Sequence, residues 1–346
     1  MSRVRERSEQ IRQFILMNVE EHPRDVVSLA SQEFGISRQA INKHIQYLVE
    51  QQAIVVEGST KNRSYHLHLL VDWTQAYSLT DKLQEDVVWD VDIEPLVADL
   101  PKNIKGIWLY GFSEMLNNAI DHSSGRKVVV HVRKTAIDTK IRILDDGEGI
   151  FKKIQRELQL NDEHHALLEL AKGKLTTAPD RHSGEGIFFT SRMFDQFGIL
   201  SGSVTFYHVS NHPEDFIFQG SKSPSGTLVS MKLNHNTSRT AKQIFDEFSS
   251  VDGDSYDFIK TVVPVHLAQY GDESLVSRSQ AKRLLSGVDK FQIVVFDFSG
   301  VEAIGQAFAD EIFRVFKKQH PEMEITSLNT SKEVAQMISR AENNNI

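Results

Sequence analysis

Cysteine is absent from the 346 residues. That excludes a disulfide framework, a thiol nucleophile and any cysteine-ligated zinc or iron–sulfur centre. Long apolar runs are absent too. The best, FQIVVF at 291–296, is far too short to span a bilayer and reads as a strand. The opening MSRVRERSEQ is charged and carries no apolar stretch of a secretory signal. The expectation is therefore a cytoplasmic protein with no membrane partner. Internal repeats and low-complexity tracts are missing as well. Hydrophobic residues at 40% and charged residues at 25% argue against bulk disorder, and the length suits two or three domains.

The net charge is −8, unevenly spread. Residues 1–66 carry nine Lys/Arg against eight Asp/Glu, a net +1, and the remainder 30 against 39, a net −9. A near-neutral start with Arg3, Arg5, Arg7 and Arg12 on an acidic body permits nucleic-acid binding at the N-terminus only. The same arginines would equally solvate a helix face.

Hydrophobic spacing divides the chain into segments 1–70, 71–236 and 256–346, with a polar linker at 237–255. In the first, Ile11, Phe14, Ile15 and Val19 follow helical periodicity. A short helix around Val26–Ala30 ends at Gly35. Ser37 is positioned to cap a third helix that buries Ala40, Ile41, Ile45 and Leu48. A hairpin with a basic, polar tip follows, from Ala53 to about Leu67. The second segment mixes helices with strands at 127–134, 140–144, 204–209, 216–218 and 227–233. It also holds a polar, helix-prone stretch at 151–183. The third alternates strand and helix, a small α/β layer.

Helix, glycine turn, helix and hairpin together resemble the winged helix-turn-helix of bacterial transcription regulators. Such a fold puts the first turns of its second helix at base edges, here Arg38, Gln39, Asn42 and Lys43. Lys61 and Arg63 would stand at the wing, near phosphate. The competing use of the same fold is a protein contact.

Four blocks in the middle segment are more specific. Glu114-Met-Leu-Asn117-Asn118-Ala-Ile-Asp121-His122 lies on a helix. Asp145-Asp146-Gly147-Glu148-Gly149 follows a strand. Thr176-Thr177-Ala-Pro179 leads to Ser183-Gly184-Glu185-Gly186 at a helix start, and Gly226-Thr227 opens a late strand. Each alone is weak, since the Asp-rich run could be a simple turn or a calcium loop. In this order they resemble the ATP-binding domain of the gyrase, chaperone, histidine-kinase and MutL superfamily (GHKL). Within it they come nearest to the anti-sigma factor serine kinases. Glu114 and Asn118, four apart, share a helix face. Asn118 offers a carbonyl oxygen to Mg²⁺, and Glu114 a carboxylate that could activate a nucleophile. Asp145 can accept from the adenine amino group, with Thr227 as the helper that the resemblance adds. Gly147 and Gly149 let the chain turn, while Gly184 and Gly186 free N–H groups for phosphate. The resemblance extends the nucleotide set to Asp121, Thr176, Thr177 and Ser183. No His-Glu-x-x-x-x-Pro phosphoacceptor helix precedes these blocks, and no returning lysine of the gyrase and MutL type is identified.

The stretch from Ile293 to Glu311 resembles a STAS-like domain, the fold of anti-sigma factor antagonists. Those carry a phosphorylated serine at a helix start. Here the matching stretch, Ile304-Gly-Gln-Ala-Phe308, has no hydroxyl. A purely structural role for this layer stays open. The resemblances imply a multidomain α+β chain: winged helix-turn-helix, central GHKL (Bergerat-type) α/β sandwich and STAS-like α/β domain. They imply ATP and Mg²⁺ as cofactors, DNA and a STAS or sigma-factor-type protein as partners, and a homodimer. The expected function is a transcription regulator whose nucleotide state switches domain packing, with slow ATP hydrolysis. The alternatives are a protein serine/threonine kinase acting on a separate STAS partner, and a DNA-dependent ATPase in repair or defence.

Overall fold

The computed structural model describes residues 3–59, 62–80, 83–175, 184–210, 212, 215–220, 225–252, 255–269 and 273–343. The protein mixes α and β structure, with four sheets among the described residues. No described helix is long and apolar enough to cross a membrane. The chain forms two compact units. One comprises Met1–Gln75, His131–Ile141 and Lys232–Thr237, and the other Ala76–Val130, Arg142–Met231 and Ser238–Ile346.

The first unit opens with helices α1 (Arg3–Asn18), α2 (Val26–Phe34) and α3 (Arg38–Glu50). Gly35 ends α2 in the left-handed conformation at φ 61°, and Ser37 caps α3 by accepting from the Ala40 N–H at 3.2 Å. Strands β1 (Ile54–Glu57) and β2 (Ser64–Leu67) follow as an antiparallel pair. The shared core is apolar at helical spacing: Ile11 and Ile15 from α1, Ile41 and Ile45 from α3, and Tyr65 from β2. Ile137 joins this core, so residues far along the chain complete it.

The other elements, in chain order, begin with β3 (Val71–Ser78), α4 (Glu85–Val88), α5 (Glu94–Val97), α6 (Lys102–His122), β4 (Lys127–Lys134) and β5 (Asp138–Asp145). Then come α7 (Ile150–Glu157), α8 (Glu163–Lys172), α9 (Gly186–Met193), β6 (Gln196–Ser201), β7 (Val204–Val209), β8 (Phe216–Gln219) and β9 (Thr227–Asn234). The large sheet has the order β3-β4-β5-β9-β6-β7-β8. Along β9 buried and half-buried residues alternate, as a strand with one covered face requires. Helix α6 buries Trp108, Phe112, Met115, Leu116 and Ala119 and packs against α9. The Trp108 ring meets Phe194 edge-on at 4.7 Å.

The stretch 237–255 differs from the expected polar linker. It holds α10 (Ala241–Phe248), started by a capping box of Thr240 and Gln243, and most of the hairpin β10 (Ser249–Asp252) and β11 (Ser255–Phe258). The reason is aromatic. Phe189 of α9 meets Phe245 at a tilt, 4.7 Å between ring centres, and Phe188 contacts Phe248 at 5.1 Å and Phe258 at 4.6 Å. A few buried rings anchor a sequence that is otherwise polar.

The C-terminal layer is a parallel sheet, β12 (Lys260–Pro264), β13 (Ile293–Asp297) and β14 (Glu324–Leu328), with Val263 opposite Phe296 and Phe296 opposite Ser327. Parallel neighbours need helical crossovers. These are α11 (Arg278–Leu285), then α12 (Gln306–Asp310), continued by a π turn into α13 (Lys317–Gln319), and finally α14 (Lys332–Asn343) follows the last strand.

Candidate functional site

The second unit contains a cavity floored by the sheet and roofed by helices. Ile143 of β5, Ile199 of β6 and Val229 of β9 make an apolar floor. Met115, Asn118 and His122 reach it from α6, and Ile150, Lys153 and Ile154 from α7. Leu170, Leu175, Gly184 and Ile187 close the side next to α9.

Asp145 supplies the polar end. It stands at the end of β5, only 6% exposed, and its Oδ1 accepts from the Gly147 N–H at 2.8 Å. Burial pushes its carboxyl pKa up; N–H groups of Gly147 and Thr227 pull against that, and Asp146 adds to the rise. Thr227 shares the wall, where its Oγ1 accepts from the Ile150 N–H at 3.0 Å and lies 3.4 Å from Ser201 Oγ. Gly147 runs so close to the Ser123 carbonyl that any side chain there would collide with it.

The other acids of the same run are committed elsewhere. Asp146 accepts from the N–H groups of Arg126 and Lys127 at 2.7 and 3.0 Å, which holds its carboxyl below the ordinary range. Glu148 pairs with Arg156 of α7. The run is thus a turn with one carboxylate facing the cavity. Among the described residues no group of three His, Asp or Glu side chains could hold a metal ion.

Of the residues expected to bind nucleotide, the cavity wall brings together Asn118, Asp145, Gly184 and Thr227. Gly149 lies outside the wall, as the residue before α7 with φ 93°. Glu114 lies one helical turn before Asn118, off the wall, with its carboxylate against Gly186. A Cβ at 186 would strike that carboxylate, so glycine here makes room for Glu114 at the start of α9. Tyr110 lies near both Glu114 and Glu185; burial first, then those two carboxylates, raise its phenol pKa well above the ordinary value. Asp121 differs from expectation: it is exposed and absent from the wall, because His122 takes the cavity-facing position at that turn. Thr176, Thr177 and Ser183 lie outside the described residues.

Residues 170–175 serve two neighbours. Leu170 and Leu175 line the cavity. Between them the buried Lys172 ammonium donates to Glu169 at 2.8 Å and to the carbonyls of Arg283 and Ser286 at 3.0 and 2.7 Å. Thr261 Oγ1 donates back to the Lys172 carbonyl at 2.6 Å, and Lys174 Nζ reaches the Lys290 carbonyl at 3.3 Å. The cavity's edge is thereby fastened to the C-terminal layer.

In that layer Asp297 Oδ1 gathers the Ser299 N–H, the Ser299 hydroxyl and Asn329 Nδ2 at 3.0, 2.8 and 3.0 Å. This ties the carboxyl ends of β13 and β14 together. Ser299 is buried in that knot, and Gly305-Gln306 at the start of α12 offers no hydroxyl. The layer is STAS-like. Residues 280–335 match the family described as a STAS-like domain of unknown function (DUF4325). No curated protein matches the chain.

In the first unit Arg38, Gln39, Asn42 and Lys43 are all exposed on α3. Arg38 Nη2 donates to Ser28 Oγ at 2.8 Å, which steadies its guanidinium against α2. Asn42 and Arg63 line one groove between α3 and the hairpin, together with Gln46 and Glu50. Lys61 lies outside the described residues. Lys153, His122 and Ser123 are cavity residues that composition and motif order did not single out as binding groups.

Proposed function

We propose that the second unit binds an adenine nucleotide in this cavity as a GHKL-type domain, and that the chain is a nucleotide-responsive transcription regulator. One observation carries the reading: a buried carboxylate, Asp145, ends an apolar slot whose other walls present Asn118 and the N-terminus of α9. An apolar slot suits a flat base, and a carboxylate acceptor suits the amino group of adenine and rejects the carbonyl of guanine. The backbone N–H groups of Gly184 and Gly186, at the start of α9, suit phosphate. Asn118 fits a shared Mg²⁺ site: a hard ion that keeps several waters and the nucleotide's own oxygens needs few protein donors. When bound, the ion would screen the phosphate charge.

The output belongs to the other domains. Nucleotide contacts at Leu170 and Leu175 bear on Lys172, and through it on the STAS-like domain. The first unit supplies a winged helix whose exposed Arg38, Gln39, Asn42 and Lys43 suit the major groove, and Lys61 and Arg63 the backbone. A STAS or sigma-factor-type protein is the second partner proposed, and a homodimer on a two-fold DNA site the working assembly.

Calorimetry with ATP, ADP and GTP tests the core of this reading. Micromolar-range binding of ATP or ADP with Mg²⁺ is expected, and equal affinity for ATP and GTP overturns the assignment. Radiolabelled ATP then separates the outputs: label on a partner protein means a kinase, free phosphate an ATPase, and neither a binding switch. Glu114, held against α9 and off the cavity wall, favours the switch with slow turnover.

A further inference from the structure

We infer that Lys153 is the side chain that recognises the phosphates of the bound nucleotide. The inference rests on the adenine-nucleotide reading of the cavity and names a residue that reading does not include. Ile150, Lys153 and Ile154 all line the wall. Spacings of three and four place them on one face of α7, so Lys153 points the same way as two apolar neighbours. The other cations of the helix do not: Lys152 is exposed, and Arg156 is paired with Glu148 and Glu157. Lys153 is the one lysine or arginine on the cavity wall among the described residues.

The cavity needs such a cation. Asp145 puts a carboxylate at one end of it. The C-terminal end of α6, which lines the wall through His122, adds the partial negative charge of its last carbonyls. A polyphosphate, extending away from the base at Asp145, would meet the charge at the end of α6. Lys153 stands at that point: its Nζ donates to the His122 carbonyl at 2.9 Å, and its side chain is only 14% exposed. The Glu157 carboxylate, one turn further along α7, is 4.0 Å away. An ammonium has three donors, so it can keep the His122 carbonyl and still offer hydrogens to phosphate oxygen. Charge-assisted contacts of that kind are about twice as strong as neutral ones. A lysine that merely capped α6 would favour every ligand of the cavity alike. One that reads phosphate favours only ligands that carry it.

Calorimetry on the full chain with Mg²⁺, comparing ADP with adenosine, separates these roles. Wild type should bind ADP more tightly than adenosine. Lys153→Met should weaken ADP roughly tenfold or more and leave adenosine unchanged, and Lys153→Arg should keep most of the preference. Equal losses for both ligands, or no loss of ADP affinity, overturn the inference while leaving the nucleotide site standing. Wild type that binds neither ligand overturns the nucleotide reading and this one with it. Reductive methylation read by mass spectrometry gives the same answer without a variant. ADP, and not adenosine, should slow modification of Lys153. Equal protection by both, or by neither, counts against the role.

Discussion

Asp145 is held where a carboxylate is uncomfortable. Its folded pKa is raised, so between the ordinary carboxylate range and that raised value the folded chain binds more protons than the unfolded one. Stability of the nucleotide-free protein should therefore fall as pH rises through that window and recover on acidification. Asp145→Asn removes this dependence; thermal melts from acid to neutral pH should show the variant more stable at neutral pH. The same change takes away the acceptor for an adenine amino group. Loss of a charge-assisted hydrogen bond worth about 1.5–3 kcal/mol should weaken ATP roughly ten- to hundredfold by calorimetry. A variant that loses stability and keeps its affinity would mean that the carboxylate serves the fold alone. Glu114 calls for the opposite pattern. Glu114→Ala should bind ATP and fail to turn it over, and Gly186→Ala should do the same, because its methyl group displaces that carboxylate. Asn118→Ala should instead lose Mg²⁺-dependent binding. Full hydrolysis by Glu114→Ala places the base elsewhere. At this scale the shared place of Asn118 and Asp145 on the cavity wall was legible from residue type and order. Lys153 was not, because a lysine three positions into a helix means nothing until Ile150 and Ile154 are known to face a cavity.

Among the elements, α3 was readable in advance. A serine cap and apolar residues at 41, 45 and 48 mark its start and its buried face, and the exposed face follows by subtraction. DNA binding, if α3 performs it, should divide by position. Arg38→Ala or Asn42→Ala should change sequence preference at one or two positions, at about 1–3 kcal/mol for each bidentate pairing with a base that is removed. Arg63→Ala or Lys61→Ala should weaken all sequences alike and lower the salt slope by about one unit per phosphate contact. Gel shifts and salt titrations on the full chain, with and without ATP, check this; binding that never exceeds the non-specific level makes the unit of α1, α2, α3 and the hairpin a protein-contact module. Helix α10 was not readable. Its eight residues are too few for a periodic signal, and what holds it is a ring cluster assembled from 188, 189, 245, 248 and 258. Phe248 is 5% exposed within that cluster. Phe248→Ala should cost about 3–5 kcal/mol in denaturant unfolding, as large-to-small changes at buried aromatics do. A loss below about 1 kcal/mol would show that the cluster closes over the gap.

At the scale of the whole chain, the parts a reader would separate by sequence are stitched together by few side chains. Lys172 lies 111 and 114 residues from two of its acceptors, a separation no local pattern announces. Lys172→Met leaves the buried Glu169 carboxylate without its ammonium and two carbonyls without a donor. Breaking a buried pair in this way costs about 3–5 kcal/mol, and nucleotide affinity should change along with stability because Leu170 and Leu175 flank position 172. Calorimetry and melts on the same variant would measure both; a large stability loss with unaltered affinity would uncouple the cavity from the STAS-like domain. The stitch also works backwards. Linkage is reciprocal, so whatever factor the nucleotide applies to the STAS-like domain's affinity for a partner, the partner must apply to the nucleotide. On the proposed reading, a protein that grips the sheet β12-β13-β14 would be an effector of the cavity, and its level would set how much nucleotide the chain holds. Such a chain would weigh the nucleotide level against the abundance of a partner.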